Sequence, residues 1–354
     1  KLPPLRAYLI VDQPRRRVER HVRDDAGEWW QSTVTGDEPI RVTVRGPISE
    51  IARTPSPART ARPAMLNLTA PTAEQHATQL SPRGRTRRQR ERCPFPPLRV
   101  EFAAKPAKTS IFERQKRLKL VTHCRASSQH QQYVLLELAA YRIFNALSPH
   151  GLRARLGSFD YVGQDGKTVA SRLGFFIEDP DDAASRNGLK EVTVAGRVAA
   201  TQLDPAASAR AALFEYMIGN TDWSMRSPPA GDTCCHNFRL LAPAANAQSG
   251  LIPIPYDFDS SGLVNAPYAA PPVELGISSV RERRYRGYCI HNAQALAAAA
   301  EFRGKRAQVL AALASVPQLD EGRRRSAGAY LEGFFRDIAT HEDVRKRLVK
   351  TCIS

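Results

Sequence analysis

Three stretches decide how this chain is read: ARAALFEYMIGNTDWS (residues 209–224), CHNFRLL (235–241) and IPIPYDFDSSG (252–262). The first is apolar and Ala-rich as far as Gly219, which predicts a buried helix that hands over to a loop at residues 220–222. The other two are short apolar runs and predict strands, one entered at Asn237 and the other left at Asp257 and Asp259. Carboxylate and amide oxygens therefore fall at the ends of buried elements, where they can face one metal ion. That pattern suits phosphoryl transfer, which needs cations on the phosphates, oxygen ligands for magnesium and a carboxylate to orient the nucleophile. Each residue also has a plainer use: Asp222 capping a turn, Asn237 bonding to backbone, the DFD triplet ending a strand in solvent. The apolar company of the triplet counts against the last use. Two carboxylates beside Ile254, Tyr256 and Phe258 repel each other unless a cation or donor lies near.

Around this block the second half reads as helical, through AQALAAAAEFRGKRAQVLAALA, GAYLEGFFRDIA and EDVRKRLVK. The first half reads differently. LRAYLIVD to PIRVTVRG alternates apolar and polar residues between breakers and predicts short strands over 1–46. Residues 47–92 are rich in Pro, Ala, Arg, Thr and Ser without sustained apolar periodicity, and predict a long loop or disordered insertion. Order resumes over 93–179: PPLRVEF and RLKLVTHC predict paired strands, YVLLELAAYRIFNAL a helix ending before Pro149, and RLGSFDYVG with TVASRLGFFIED a hairpin turning at Asp165 and Gly166. A sheet with one helix followed by a helical body over 180–354 is an α+β arrangement with a cleft between its two parts.

The order NTDWS, then HNFRLL, then IPYDFDSSG resembles the catalytic block of the CotH-type spore-coat kinases and, more distantly, that of HipA-like kinases. The resemblance implies a two-lobed protein-kinase-like fold, with a small β-rich N-lobe carrying one main helix and a mainly helical C-lobe. It gives Asp222 the role of catalytic base, makes Asn237 a magnesium ligand, puts Asp257 in place of the DFG aspartate and leaves Asp259 as a second metal ligand. KRLKLVTHC resembles the strand that supplies the kinase lysine, and LLELAAYRIFNAL the helix that supplies its glutamate partner. These roles fall on Lys119 and Glu137, with Lys116 as the rival if the strand slips by register. GFFIEDPDD resembles the hinge, where Ile177, Glu178 and Asp179 would meet adenine. The implied activity is an ATP-dependent phosphotransferase, using magnesium or manganese, that acts on a protein or small-molecule hydroxyl. No Gly-rich phosphate loop is evident in the first strands, and Asp222 and Asn237 lie further apart than the roughly four residues of ordinary kinases. A nucleotide-binding pseudokinase therefore stands as the alternative.

Composition sets the outer bounds. Hydrophobic residues are 42% and charged residues 25% of the 354, as in ordinary globular proteins. A net charge of +17 and a pI near 10.0 point to an anionic partner or an acidic acceptor. Arg83, Arg85, Arg87, Arg88, Arg90 and Arg92 form a run that reads as a solvated loop. Tyr285 and Tyr288, set among Arg281, Arg283, Arg284 and Arg286, carry the least favoured reading, a nucleic-acid-binding protein. No stretch has the roughly eighteen apolar residues of a membrane helix. The chain opens at Lys1 rather than Met, so the expectation is a soluble protein of open compartment, periplasmic or secreted if a leader has been removed. The six cysteines match no zinc spacing, and reduced thiols and disulfides both remain open. Cys93 and Cys124 border strands of one sheet and are the pair to test first, whereas adjacency makes a Cys234–Cys235 bond awkward. The triplet at Asn67 is given no weight as a glycosylation site.

Overall fold

The computed structural model describes residues 7–12, 17–23, 29–35, 39–53, 60–70, 73–84 and 86–354. The first elements are β1 (Ala7–Asp12), β2 (Arg17–Arg23) and β3 (Trp29–Thr35), an antiparallel sheet of their own. Then follow β4 (Ile40–Arg45), α1 (Ile48–Arg53), β5 (Arg62–Ala70), β6 (Glu74–Pro82), β7 (Leu98–Phe102) and β8 (Arg117–Val121). After α2 (Ser128–Leu147) come β9 (Ala154–Val162) and β10 (Thr168–Ile177). The seven strands β4 to β10 close into a barrel in the order β10-β8-β7-β6-β5-β4-β9. Every neighbouring pair is antiparallel except β4 with β9, which run parallel. Period-two alternation fills the interior with Val42, Val44, Leu66, Leu68, Leu98, Val100, Leu118, Leu120, Phe159 and Tyr161, all buried. The intervening residues of β7 and β8, Arg99 and Lys119, are ladder partners on the opposite face.

The rest of the chain comprises α3 (Pro180–Arg186), β11 (Lys190–Val192), α4 (Pro205–Ile218), β12 (Phe238–Ala242), β13 (Ile252–Pro255), α5 (Asn292–Gly304), α6 (Arg306–Ala314), α7 (Glu321–Asp337) and α8 (His341–Arg347). The sheet β11-β12-β13 lies among these helices. A second core joins α2, α4, β12, β13 and the later helices to the outer sides of β9 and β10 through Phe175 and Ile177. Thus α2 belongs to both halves, packing on β9 and β10 on one side and on α6 on the other. Helix α4 starts with the Asp204 side chain accepting from Ala207 N–H and stops at Gly219, whose φ of 66° is left-handed. A Cβ at that glycine would also collide with the Tyr330 hydroxyl.

The expected kinase-like fold, a small N-lobe sheet beside a helical C-lobe, is corrected: the strands form a closed seven-stranded barrel in a chain with eight α-helices among its described residues. The reason lies in residues 47–92, expected to be a loop. They contain α1, β5 and β6, and β5 with β6 supplies the two strands that bridge β4 to β7. The alternation in β6 is Thr78, Leu80 and Pro82 buried between half-exposed polar residues, a pattern too polar to register as apolar periodicity. The 1–46 segment also divides, since β1 to β3 form one sheet and β4 joins the barrel. Within 93–179 the strand pair β7–β8, the helix α2 and the hairpin β9–β10 form as expected.

All six cysteines are paired. Cys93 bonds Cys124, Cys289 bonds Cys352, and Cys234 bonds its neighbour Cys235 across a cis peptide bond. The vicinal pair departs from the expectation that adjacency hinders bonding. No helix among the described residues is long and apolar enough to cross a membrane.

Candidate functional site

The outer face of β7 and β8 and the loops of the C-terminal half enclose a cavity of about 430 Å³. One wall is cationic, with Arg99 from β7, Lys119 from β8 and Arg83 just after β6. The other wall comes from three junctions. Asp222 follows the end of α4, Asn237 precedes β12, and Asp257 and Asp259 follow β13. Arg239 in β12 completes the lining beside Tyr256.

Local bonding fixes each group. Asn237 has a φ of 54° and Asp257 a φ of 67°, left-handed conformations that Asn and Asp tolerate better than most residues and that concentrate at functional sites. Asp257 N–H donates to the Tyr141 hydroxyl of α2 at 3.0 Å, which ties the DFD segment to the buried helix. Asn237 Nδ2 donates to the Asp222 carbonyl at 2.7 Å and lies 3.3 Å from its Oδ2. His236 Nε2 sits 3.1 Å from the other Asp222 oxygen. Asp222 N–H donates to Asn220 Oδ1 at 3.1 Å, and Arg286 Nη1 donates to the carbonyls of Thr221 at 2.6 Å and Trp223 at 2.8 Å. The Asp222 loop is therefore held from both sides while its carboxylate stays 43% exposed.

The floor of the cavity is an acidic cluster built around one arginine. Arg87, on the 3₁₀ turn Thr86–Arg88, pairs with Asp257, with Asp259 at 3.2 Å and with Glu137 at 3.7 Å. Burial lowers the basicity of Arg87, but Asp259, Asp257 and Glu137 outweigh it and raise it well above the ordinary value. Burial pushes Glu137 up to about 8, against the pull of Arg87 and with Asp259 and Asp257 adding to it. Asp259 goes to about 6, again chiefly by burial, with Arg87 opposing and Asp257 assisting. Asp257 is pushed up by burial but held below its ordinary value by Arg87, Arg83, Lys119 and His236. Three carboxyl groups thus share a single guanidinium, and Glu137, raised to about 8, keeps its proton near neutral pH.

Lys119 Nζ, by contrast, is buried and has no hydrogen-bond partner among the described residues; it lies 3.7 Å from the centre of the Tyr256 ring. Burial, reinforced by Arg83 and Arg239, pushes it well below the ordinary lysine value, against Asp257 and Asp179. The expected Lys119–Glu137 pair is thus replaced by Arg87–Glu137, and Glu137 Oε1 has no hydrogen-bond partner among the described residues.

Five of the sequence-derived residues meet in this cavity: Lys119, Asp222, Asn237, Asp257 and Asp259. Glu137 reaches it through Arg87, while Lys116 is exposed and does not line it. Ile177, Glu178 and Asp179 do not line it either. Ile177 pairs with Lys119 in the ladder, Glu178 binds Arg186 at 2.9 Å, and Asp179 caps α3 and binds Arg117 at 2.5 Å. The backbone N–H of Glu178 is already given to the Arg153 carbonyl. Asp179, Asp181 and Glu191 bring carboxylate oxygens within 4.8 Å of one another, with Arg117 bridging the first two.

Sequence reasoning missed Arg83, Arg87, Arg99, Arg239 and His236. Only their charge and proximity to a recognised motif could have signalled them. Tyr285 and Tyr288, on which the least favoured reading rested, are 2% and 5% exposed, so neither can stack on a base. In sequence comparison, no protein-family model matches the chain and no curated protein matches it significantly.

Proposed function

We propose that the protein is an ATP- and divalent-metal-dependent phosphotransferase acting on a hydroxyl of a protein or small molecule. The observation that carries this is the convergence on one cavity of Arg83, Arg99, Lys119 and Arg239 with Asp222, Asn237, Asp257 and Asp259. A polyphosphate answers the first set and a divalent cation the second. The fit to a metal is chemical. The donors are hard oxygens, the Glu137 carboxylate retains an unpartnered oxygen, and a cation from Arg87 already occupies the space between the carboxylates. Asp257, Asp259 and Asn237 would hold magnesium or manganese, which when bound neutralises charge developing on the phosphates.

The chain's own groups do the remaining work. Arg83, Arg99 and Lys119 bind phosphate oxygens, and Lys119 takes up a proton when it does so. Asp222 accepts the proton of the acceptor hydroxyl as its oxygen bonds to the terminal phosphorus. The bond from that phosphorus to the bridging oxygen breaks, and ADP leaves with the electron pair. His236 holds the Asp222 carboxylate in orientation.

Incubating the full chain with terminally labelled ATP and manganese or magnesium tests the proposal, reading transfer to itself, to added proteins or to small hydroxyl compounds. Asp222→Asn should retain ATP affinity and lose transfer. Equal transfer by variant and wild type would dismiss the assignment. The seating of Arg87 in the acidic cluster favours the alternative of a nucleotide-binding pseudoenzyme, which would show metal-dependent ATP affinity with no transfer under any of these conditions.

A further inference from the structure

The position of Arg87 leads further, on the premise that the acidic cluster is the metal site. Its guanidinium contacts Asp257 and Asp259, two of the residues that would hold the ion, so an ion bound by them would lie beside a like charge. We infer that Arg87 is a resident competitor for the metal: the turn Thr86–Arg88 seals the cluster with its own cation, and loading of a divalent ion expels the guanidinium into the cavity.

Three observations support the exchange. Asp257 and Asp259 share the one guanidinium, and a divalent ion would offer the same oxygens two positive charges. Arg87 reaches the site from a turn outside the barrel's ladder, held by Arg83 N–H on the Pro97 carbonyl before it, by the buried Arg88, whose Nε donates to the Gly84 carbonyl, and by the Cys93–Cys124 bridge after it. The expelled side chain also has a destination, because Arg87 borders the same cavity that Arg83, Arg99 and Lys119 line, where phosphate oxygens would receive it. Without ligand Arg87 then covers the acidic cluster, and the cavity becomes richer in cations toward the nucleotide when metal enters.

The test is manganese affinity of the full chain without nucleotide, read as free Mn²⁺ by electron paramagnetic resonance. Arg87→Ala and Arg87→Gln should bind Mn²⁺ at least about tenfold more tightly than wild type, and Asp257→Asn in the Arg87→Ala background should remove that gain. Equal or weaker binding in the Arg87 variants, or a gain that survives Asp257→Asn, overturns the inference. Wild-type protein supplies a check that does not depend on variant folding. Mn²⁺ should increase modification of Arg87 by phenylglyoxal, located by peptide mass spectrometry, and unchanged or reduced labelling overturns the inference equally. Transfer from ATP with no Arg87 effect removes the competitor and leaves the phosphotransferase standing. Metal exchange at Arg87 without nucleotide transfer does the reverse.

Discussion

Under the proposed phosphotransfer, replacing Arg286 with alanine separates the positioning of Asp222 from the binding of phosphate. One nitrogen of Arg286 bonds the carbonyls on either side of Asp222, and its guanidinium lies 4.9 Å from the centre of the Trp223 ring. Trp223 Nε1 in turn donates to the Asn220 carbonyl at 2.9 Å, so the loop is a closed set of bonds with Arg286 at its hub. A hydrogen bond from a charged donor is worth about 1.5–3 kcal/mol net. Arg286 keeps some access to water that can replace it, so the two bonds and the ring contact together should cost about 2–4 kcal/mol of stability. The chemical cost is larger, because a carboxylate displaced by about 1 Å from its acceptor lowers turnover by about a hundredfold. Arg286 is not among the residues lining the cavity, so KM for ATP should stay within about threefold of wild type. The assay is steady-state transfer at a temperature below the variant's melting point, with Arg286→Lys run alongside. The ammonium has three donors and should recover part of kcat. A folded Arg286→Ala enzyme with wild-type kcat, or one whose loss falls entirely in KM, would refute the positioning role.

Other consequences concern groups away from the cavity. His123, packed on Phe95 and Tyr161, is held down to about 4 by burial, with Arg172 and His130 contributing. Between pH 6.5 and 4 the unfolded chain binds a proton that the folded chain refuses, so about 3 kcal/mol of stability should be lost as pH falls, and His123→Gln should flatten that limb in urea titrations. An unchanged slope would exclude His123 as its source. Glu215 is fully buried, and burial pushes it well above the ordinary value of 4.5, so the folded chain retains a proton that the unfolded chain releases and stability declines as pH rises. Glu215→Gln should therefore melt above wild type at pH 8 and converge with it near pH 4; a lower melting point at pH 8 would mean the carboxylate is ionised. The Cys289–Cys352 bridge spans a sequence separation of 63, for which the chain-entropy relation gives about 4 kcal/mol. Cys289→Ala/Cys352→Ala should lose about that much in urea unfolding, and a loss below about 1 kcal/mol would count against the bridge forming.

What could be read from the residues alone was local. Helix α2, the β7–β8 pair and the β9–β10 hairpin each announce themselves by periodicity and a breaker, and Asp222, Asn237, Asp257 and Asp259 stand out because each borders an apolar element. Closure of the barrel depends instead on β4 meeting β9 in parallel, a pairing of distant segments that no short pattern encodes. It depends equally on β5 and β6, whose composition resembles a linker until neighbours bury one face. The misreading of the arginine run had the same cause. Arg87 looks solvated by composition, yet its side chain is 12% exposed, because the turn that carries it is brought over an acidic cluster contributed by α2 and the segment after β13.

The unspent groups in this cavity are what argue for a ligand of mixed charge. A site built only for stability would bring Lys119 to Glu137 and cancel both. Here Lys119 Nζ and Glu137 Oε1 are each buried without a hydrogen-bond partner among the described residues, and a group left so costs about 1–3 kcal/mol or more if charged. A simple anion would satisfy Lys119, Arg83 and Arg99 but worsen the repulsion between Asp257 and Asp259; a lone metal ion would do the opposite. The proposed polyphosphate with its divalent cation would answer both walls at once.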